Sequence, residues 1–171
     1  MLVSPDNPDF VRRATRVRLL GIDFDGVMTD NSVYVFEDGR EAVRCSRFEG
    51  YGLRRAASAG VHCLILSTEE NQIVTRRANK LKIECIQNCH DKVDAFAILL
   101  KKRGLSMDQA AFIGNDVNDL ELLNLVGLPV IVADAHEALS ELSFFRTRRK
   151  GGDGAVRELC DAISIVREQI L

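Results

Sequence analysis

Two carboxylates, Asp23 and Asp25, stand two residues apart where the apolar run at 19–22 ends, and Gly26 follows them. In an extended chain alternate side chains share a face, so both can address one ligand. Acidic groups at the buried end of a strand are costly unless a cation, a partner charge or a reaction occupies them. Asp23 therefore reads as a nucleophile or metal ligand and Asp25 as a general acid/base; the plainer alternative is a polar turn closing a strand. Ser67-Thr68 ends a second apolar run ahead of a helical stretch. A hydroxyl there can bind a phosphate oxygen beside helix N–H groups, or can simply cap the helix. Lys92 can balance the acidic pair and hold a phosphoryl group, or can lie solvated in a first helical turn. Gly114-Asn115-Asp116-Val117-Asn118-Asp119 crowds four carboxylate or amide side chains into five residues. That donor set suits a hard cation with oxygen ligands, whereas a cap-rich helix start accounts for one or two of the four.

The elements that must position these groups follow from periodicity. Apolar runs at 17–23, 61–66, 83–87, 110–114 and 128–132 read as buried strands. Helical patterns lie between them, from 49 to Gly60, at 69–82, at 91–102 and through Leu120, Leu122 and Leu123, with a short one near 135 and a closing one at 154–170. Strands alternating with helices predict a Rossmann-like α/β fold, a parallel sheet covered on both faces. Such sheets bind ligands at the carboxyl ends of their strands, where every cluster above falls. The runs 32–37 and 40–45, joined by Asp38-Gly39, predict a β-hairpin. It forms a small cap inserted at about 31–46. Residues 1–16 read as a variable arm with one short helix after Pro8, and 17–171 as a single domain.

The 171 residues are 46% hydrophobic and carry a net charge of −2. That is not basic enough for general nucleic-acid binding, and the run Arg146, Arg148, Arg149, Lys150 lacks interleaved aromatics. No apolar run approaches the roughly 20 residues that span a bilayer. The first residues lack the apolar region of a signal peptide, and five cysteines without framework spacing fit a reducing cytoplasm. Cys85, Cys89 and His90 have no second pair nearby to complete a zinc site.

The ordered set Asp-x-Asp-Gly-Val-x-Thr-Asp, a hydroxyl strand end, a lysine and Gly-Asn-Asp-x-x-Asp resembles the haloacid dehalogenase superfamily of phosphohydrolases. More narrowly, the hairpin and the tail Gly151-Gly152-Asp153-Gly154-Ala155-Val156-Arg157-Glu158 resemble the tetrameric phosphatases of 3-deoxy-octulosonate 8-phosphate and of nonulosonate (sialic-acid-type) 9-phosphates. The resemblance implies that Asp23 attacks phosphorus to form an aspartyl-phosphate. Asp25 then protonates the leaving oxygen and later activates water. It also implies Mg²⁺ held by the Asp23 carboxylate, the Asp25 carbonyl and the residue after Gly114, so Asn115 with Asp116 as its neighbour. Ser67 would bind the phosphoryl group, and Lys92 would pair with it and with Asp23.

Two positions depart from the octulosonate pattern: Asn115 replaces an aspartate, and Glu49 replaces the aspartate of an Asp-Gly-x-Gly. Nonulosonate-type members resemble this chain in Glu69, with Arg77 and Lys80 downstream; on one helix these would share a face and, with Thr68, line a substrate wall. Arg157 would reach a neighbouring subunit's substrate in a homotetramer. The expected substrate is thus a nonulosonate 9-phosphate, with an octulosonate 8-phosphate as runner-up. A rival from another class is a catalytically weak oligomerisation module like the domain fused to CMP-sialate synthetases.

Overall fold

The computed structural model describes residues 1–169. Its centre is a six-stranded parallel sheet in the order β5-β4-β1-β6-β7-β8, with β1 at Leu19–Ile22, β4 at His62–Leu66, β5 at Glu84–Ile86, β6 at Ala110–Gly114, β7 at Leu128–Ile131 and β8 at Phe145–Arg146. The strands of β1, β6 and β7 are buried at every residue, as continuous apolar runs covered on both faces require. Alternation divides them between two cores. Leu20, Ile22, Ile65 and Val130 pack with Phe10, Leu53, Val156, Leu159 and Ile163. Leu19, Leu64 and Phe112 pack with Phe96, Leu100 and Leu123 on the other face.

The first face is covered by α1 (Pro8–Ala14), α2 (Glu49–Ser58), α3 (Ile73–Leu81) and α7 (Ala155–Glu168), the second by α4 (Lys92–Lys102), α5 (Leu120–Leu125) and α6 (Glu137–Ser140). The hairpin of β2 (Thr29–Val35) and β3 (Glu41–Cys45) leaves the sheet directly after β1 and pairs antiparallel. Its outer half exposes Val33, Tyr34, Val35 and Phe36.

Two features go beyond the expectations, and one expectation changes. The short helix expected after Pro8 forms as α1, and the first residues also pack onto the sheet: Val3 and Phe10 are buried, Phe10 meets Phe145 edge-on at 5.4 Å, and Val3 N–H donates to the Arg146 carbonyl at 2.9 Å. Strand β8, two residues long, was too short to carry a periodic signal. The helix expected from Glu69 begins only at Ile73, because residues 67–71 fold into side-chain-closed turns in which Ser67 Oγ accepts from Glu69 N–H and Glu69 Oε1 from Asn71 N–H. The expected end of the last helix at Ile170 lies outside the described residues.

Candidate active site

The carboxyl ends of β1, β4 and β6 meet, and the polar groups singled out above meet with them. Lys92, from the first turn of α4, is 4% exposed, yet its Nζ donates to Asp23 Oδ1 at 2.7 Å and to Asp119 Oδ1 at 2.6 Å. Burial opposes the charge on Lys92, but the two carboxylates outweigh it and hold its pKa above the usual lysine value. Burial, reinforced by Asp119, pushes Asp23 up to about 7 against the pull of Lys92. Asp25 is likewise raised, first by burial and then by Glu69, with Glu41 adding to it and Lys92 opposing. One ammonium thus faces three carboxylates, and the unbalanced negative charge is an electrostatic demand for a cation.

The geometry shows where a cation fits. The Asn115 side-chain amide lies 3.0 Å from the Asp25 main-chain carbonyl and 3.0 Å from Asp23 Oδ2. Turned one way, its NH2 donates to both oxygens; turned the other, its own oxygen joins theirs in a cradle suited to a hard cation. Gly26 makes the approach possible: its φ is +80°, and a Cβ there would run into the Asn115 amide. Asp116 borders the same cleft but is tied to its own turn. Its Oδ1 accepts from Val117 N–H at 2.7 Å and caps a short 3₁₀ turn, so Asn115 is the better placed of the two expected metal ligands.

Two clefts flank Asp25. One, of about 240 Å³, is lined by Asp23, Asp25, Asn31, Ser67, Thr68, Asn115 and Asp116. The other, of about 200 Å³ under the hairpin, is lined by Phe24, Asp25, Asn31, Glu41, Val43, Glu69, Asn71 and Ile73. Asp25 and Asn31 belong to both, so the Asp25 carboxyl stands between the buried charge cluster and the cleft under the hairpin. Asn71 Nδ2 ties the hairpin to the loop beneath by donating to Glu41 Oε2 at 3.2 Å.

The expected substrate wall does not assemble. Glu69 lines the hairpin cleft, but Arg77 and Lys80 line neither cleft, because Glu69 lies in a turn rather than on their helix. Arg77 instead reaches back to the chain leaving the hairpin, donating to the Ser46 carbonyl at 2.7 Å, and Lys80 points to solvent. Arg157 lines a separate groove with Phe48, Arg148 and Arg149, and its Nε donates to Asp161 Oδ2 at 2.5 Å. Two residues gain roles that their types alone did not assign. Asp119 is fully buried and shares Lys92 with Asp23; its place as the last acid of Gly-Asn-Asp-x-x-Asp was the available signal. Glu49 is fully buried, and its carboxylate accepts from Gly154 N–H at 3.1 Å and Arg157 N–H at 2.7 Å. Burial pushes its pKa up to about 7 despite those donors.

The model of the family described as haloacid dehalogenase-like hydrolase matches residues 64–159, which include Ser67, Lys92 and Asn115–Asp119. A 3-deoxy-D-manno-octulosonate 8-phosphate phosphatase from Yersinia pestis is 36% identical over 98% of this chain and 90% of its own length. A hypothetical protein from Xanthomonas campestris superposes with a TM-score of 0.93 at 35% identity, covering 99% of this chain and 95% of its own. The Moraxella catarrhalis 3-deoxy-D-manno-octulosonate 8-phosphate phosphatase, solved with magnesium, phosphate and a KDO molecule, superposes at 0.88 with 30% identity over 93% of this chain and 92% of its own. The chain belongs to the haloacid dehalogenase-like hydrolases, and within them to the phosphatases.

Proposed function

We propose that this phosphatase hydrolyses 3-deoxy-D-manno-octulosonate 8-phosphate with Mg²⁺ as its cofactor. The observation that carries the reaction is the buried convergence of Asp23, Lys92 and Asn115 beside Asp25. The similarity to octulosonate phosphatases over nearly the full length supports the substrate. The nonulosonate reading rested on a wall of Glu69, Arg77 and Lys80, two of which lie outside the clefts. Its remaining support is Glu69 and the amide at Asn115.

In the proposed reaction the Asp23 carboxylate attacks phosphorus as the bond from phosphorus to the sugar oxygen breaks. Asp25, whose pKa is raised first by burial and then by Glu69 so that its acid form is favoured, gives its proton to the leaving oxygen. The resulting aspartyl-phosphate on Asp23 is then attacked at phosphorus by a water whose proton returns to Asp25, releasing phosphate and restoring both residues. Ser67, which lines the cleft, and Lys92, whose Nζ lies on Asp23 behind it, hold the phosphoryl oxygens. Asp23, the Asp25 carbonyl and Asn115 would hold Mg²⁺, which when bound neutralises charge on the transferring group. The cleft containing Glu41, Glu69 and Asn71 takes the polyhydroxyl leaving group. The exposed Val33–Phe36 end of the hairpin supports a homotetramer whose neighbouring subunit closes this open cleft.

The test is Mg²⁺-dependent phosphate release across octulosonate 8-phosphate, nonulosonate 9-phosphates and simple hexose phosphates. The octulosonate ester is expected to show the highest kcat/KM. A higher value for a nonulosonate ester would overturn the substrate, and release from none would overturn the activity.

A further inference from the structure

The segment 148–157, sequence-wise a basic run followed by glycines, is held by its backbone on three carboxylates from three different elements. Glu158 accepts from Arg148 N–H at 3.0 Å and Arg149 N–H at 2.9 Å. Asp134, just beyond β7, accepts from Gly151 N–H at 3.0 Å through Oδ1. Glu49, from the first turn of α2, accepts from Gly154 and Arg157. A fully buried carboxylate such as Glu49 is costly to keep for a loop with no task.

What the segment touches supplies the task. Gly152 N–H donates to the Val27 carbonyl at 3.0 Å, inside the loop that begins at Asp25. A Cβ on Gly151 would collide with the Gly26 carbonyl oxygen, and one on Gly152 with the backbone of Thr29 and Asp30. Gly26 in turn backs directly onto the Asn115 amide. The glycines therefore let one backbone lie flat on another, and the second backbone carries the Asp25 carbonyl that faces Asn115.

We propose that Glu49 and Asp134 are positioning residues of the reaction: by pinning the turn Gly151–Gly154 from two sides, they fix the Asp25–Thr29 loop and so the placement of the Asp25 carbonyl and carboxyl. This rests on the phosphatase reading above. The substitution Glu49→Gln replaces one of two accepting oxygens with a donor, Asp134→Ala removes the oxygen that holds Gly151 N–H, and neither residue lines a cleft that holds Asp23 or Asp25.

The experiment uses the full chain with p-nitrophenyl phosphate, a generic monoester, at temperatures where circular dichroism shows each variant folded. Each substitution is expected to lower kcat about 5- to 20-fold with KM within about twofold, and to raise the Mg²⁺ concentration for half activation. Because both act through one turn, the double variant is expected to lose clearly less than the product of the two single losses. If Glu49→Gln does not fold, Asp134→Ala at its exposed site carries the kcat and Mg²⁺ readouts alone. Unchanged kcat with lowered thermal stability, or losses that multiply, overturns the proposal while leaving the phosphatase reading intact. Absence of Mg²⁺-dependent release by the unsubstituted protein overturns both.

Discussion

The charge cluster at the ends of β1, β4 and β6 and the hairpin cleft beside it are neighbours that share Asp25, yet they are built differently. In the first, Asp23, Lys92, Asn115 and Asp119 are each less than a tenth exposed and bind one another directly. In the second, Glu41 is exposed, Glu69 and Asn71 are half-buried, and one 3.2 Å hydrogen bond joins the two walls. A cluster of buried charges multiplies electrostatic effects and tolerates little change, which suits the breaking of a phosphate ester. A wall of exposed and half-buried groups discriminates weakly by itself, which suits a surface that a second subunit completes.

Lys92 tests the closed half most severely. Lys92→Met leaves Asp23 and Asp119 buried without their cation, and the expected loss is about 3–5 kcal/mol of stability in metal-free urea unfolding. Phosphate release should fall by about a thousandfold or more. A variant of unchanged stability would mean that the cluster is more hydrated than its burial indicates.

Glu49 offers the next largest effect. Its pKa rises on folding from 4.5 to about 7, so over that interval the native state holds the proton and the unfolded chain does not. Its favourable contribution is therefore complete below about pH 4.5 and lost as pH climbs through about 7. Glu49→Gln cannot titrate, so the stability of the unsubstituted protein relative to this variant should fall by up to about 3 kcal/mol between about pH 5 and pH 8. Urea midpoints across that range decide it, and a gap that stays flat or widens would refute the account.

The open half should respond mildly. Glu69→Ala is expected to lower kcat/KM for a sugar phosphate about tenfold, and the loss should be smaller for p-nitrophenyl phosphate, whose leaving group offers no ring of hydroxyls. Lys80→Ala should stay within about twofold on every ester, because Lys80 lies outside both clefts. A large, sugar-specific effect at Lys80 would show that a neighbouring subunit brings it to a substrate after all.

The same contrast explains what the amino-acid sequence disclosed. Strands β1, β4, β6 and β7 were legible because continuous apolar runs have few other uses; Asp23, Ser67 and Asn115 were legible because each follows such a run, and Lys92 because it opens the next helix. The charge-sharing by Asp119 was half-legible: its motif was visible, but only packing shows that Lys92 bridges it to Asp23. The wall at Glu69, Arg77 and Lys80 failed for a local reason. Side-chain acceptors at Ser67 and Glu69 stabilise turns that delay α3 until Ile73, so helical spacing never applied to Glu69. Glu49 was unreadable because its partners, Gly154 and Arg157, lie more than a hundred residues away and use only backbone N–H groups. The choice between two keto-acid sugars was likewise beyond local patterning, since the cleft under the hairpin is lined from separate stretches of the chain.

The central claim, that Asp23 is the covalent nucleophile of a Mg²⁺-dependent phosphatase, is tested most directly by Asp23→Asn. The amide keeps the shape of the site, relieves a buried negative charge and cannot attack phosphorus effectively. The account predicts a folded protein of equal or greater stability whose Mg²⁺-dependent phosphate release from octulosonate 8-phosphate falls by at least about a thousandfold. Release at the unsubstituted rate by this variant would contradict it.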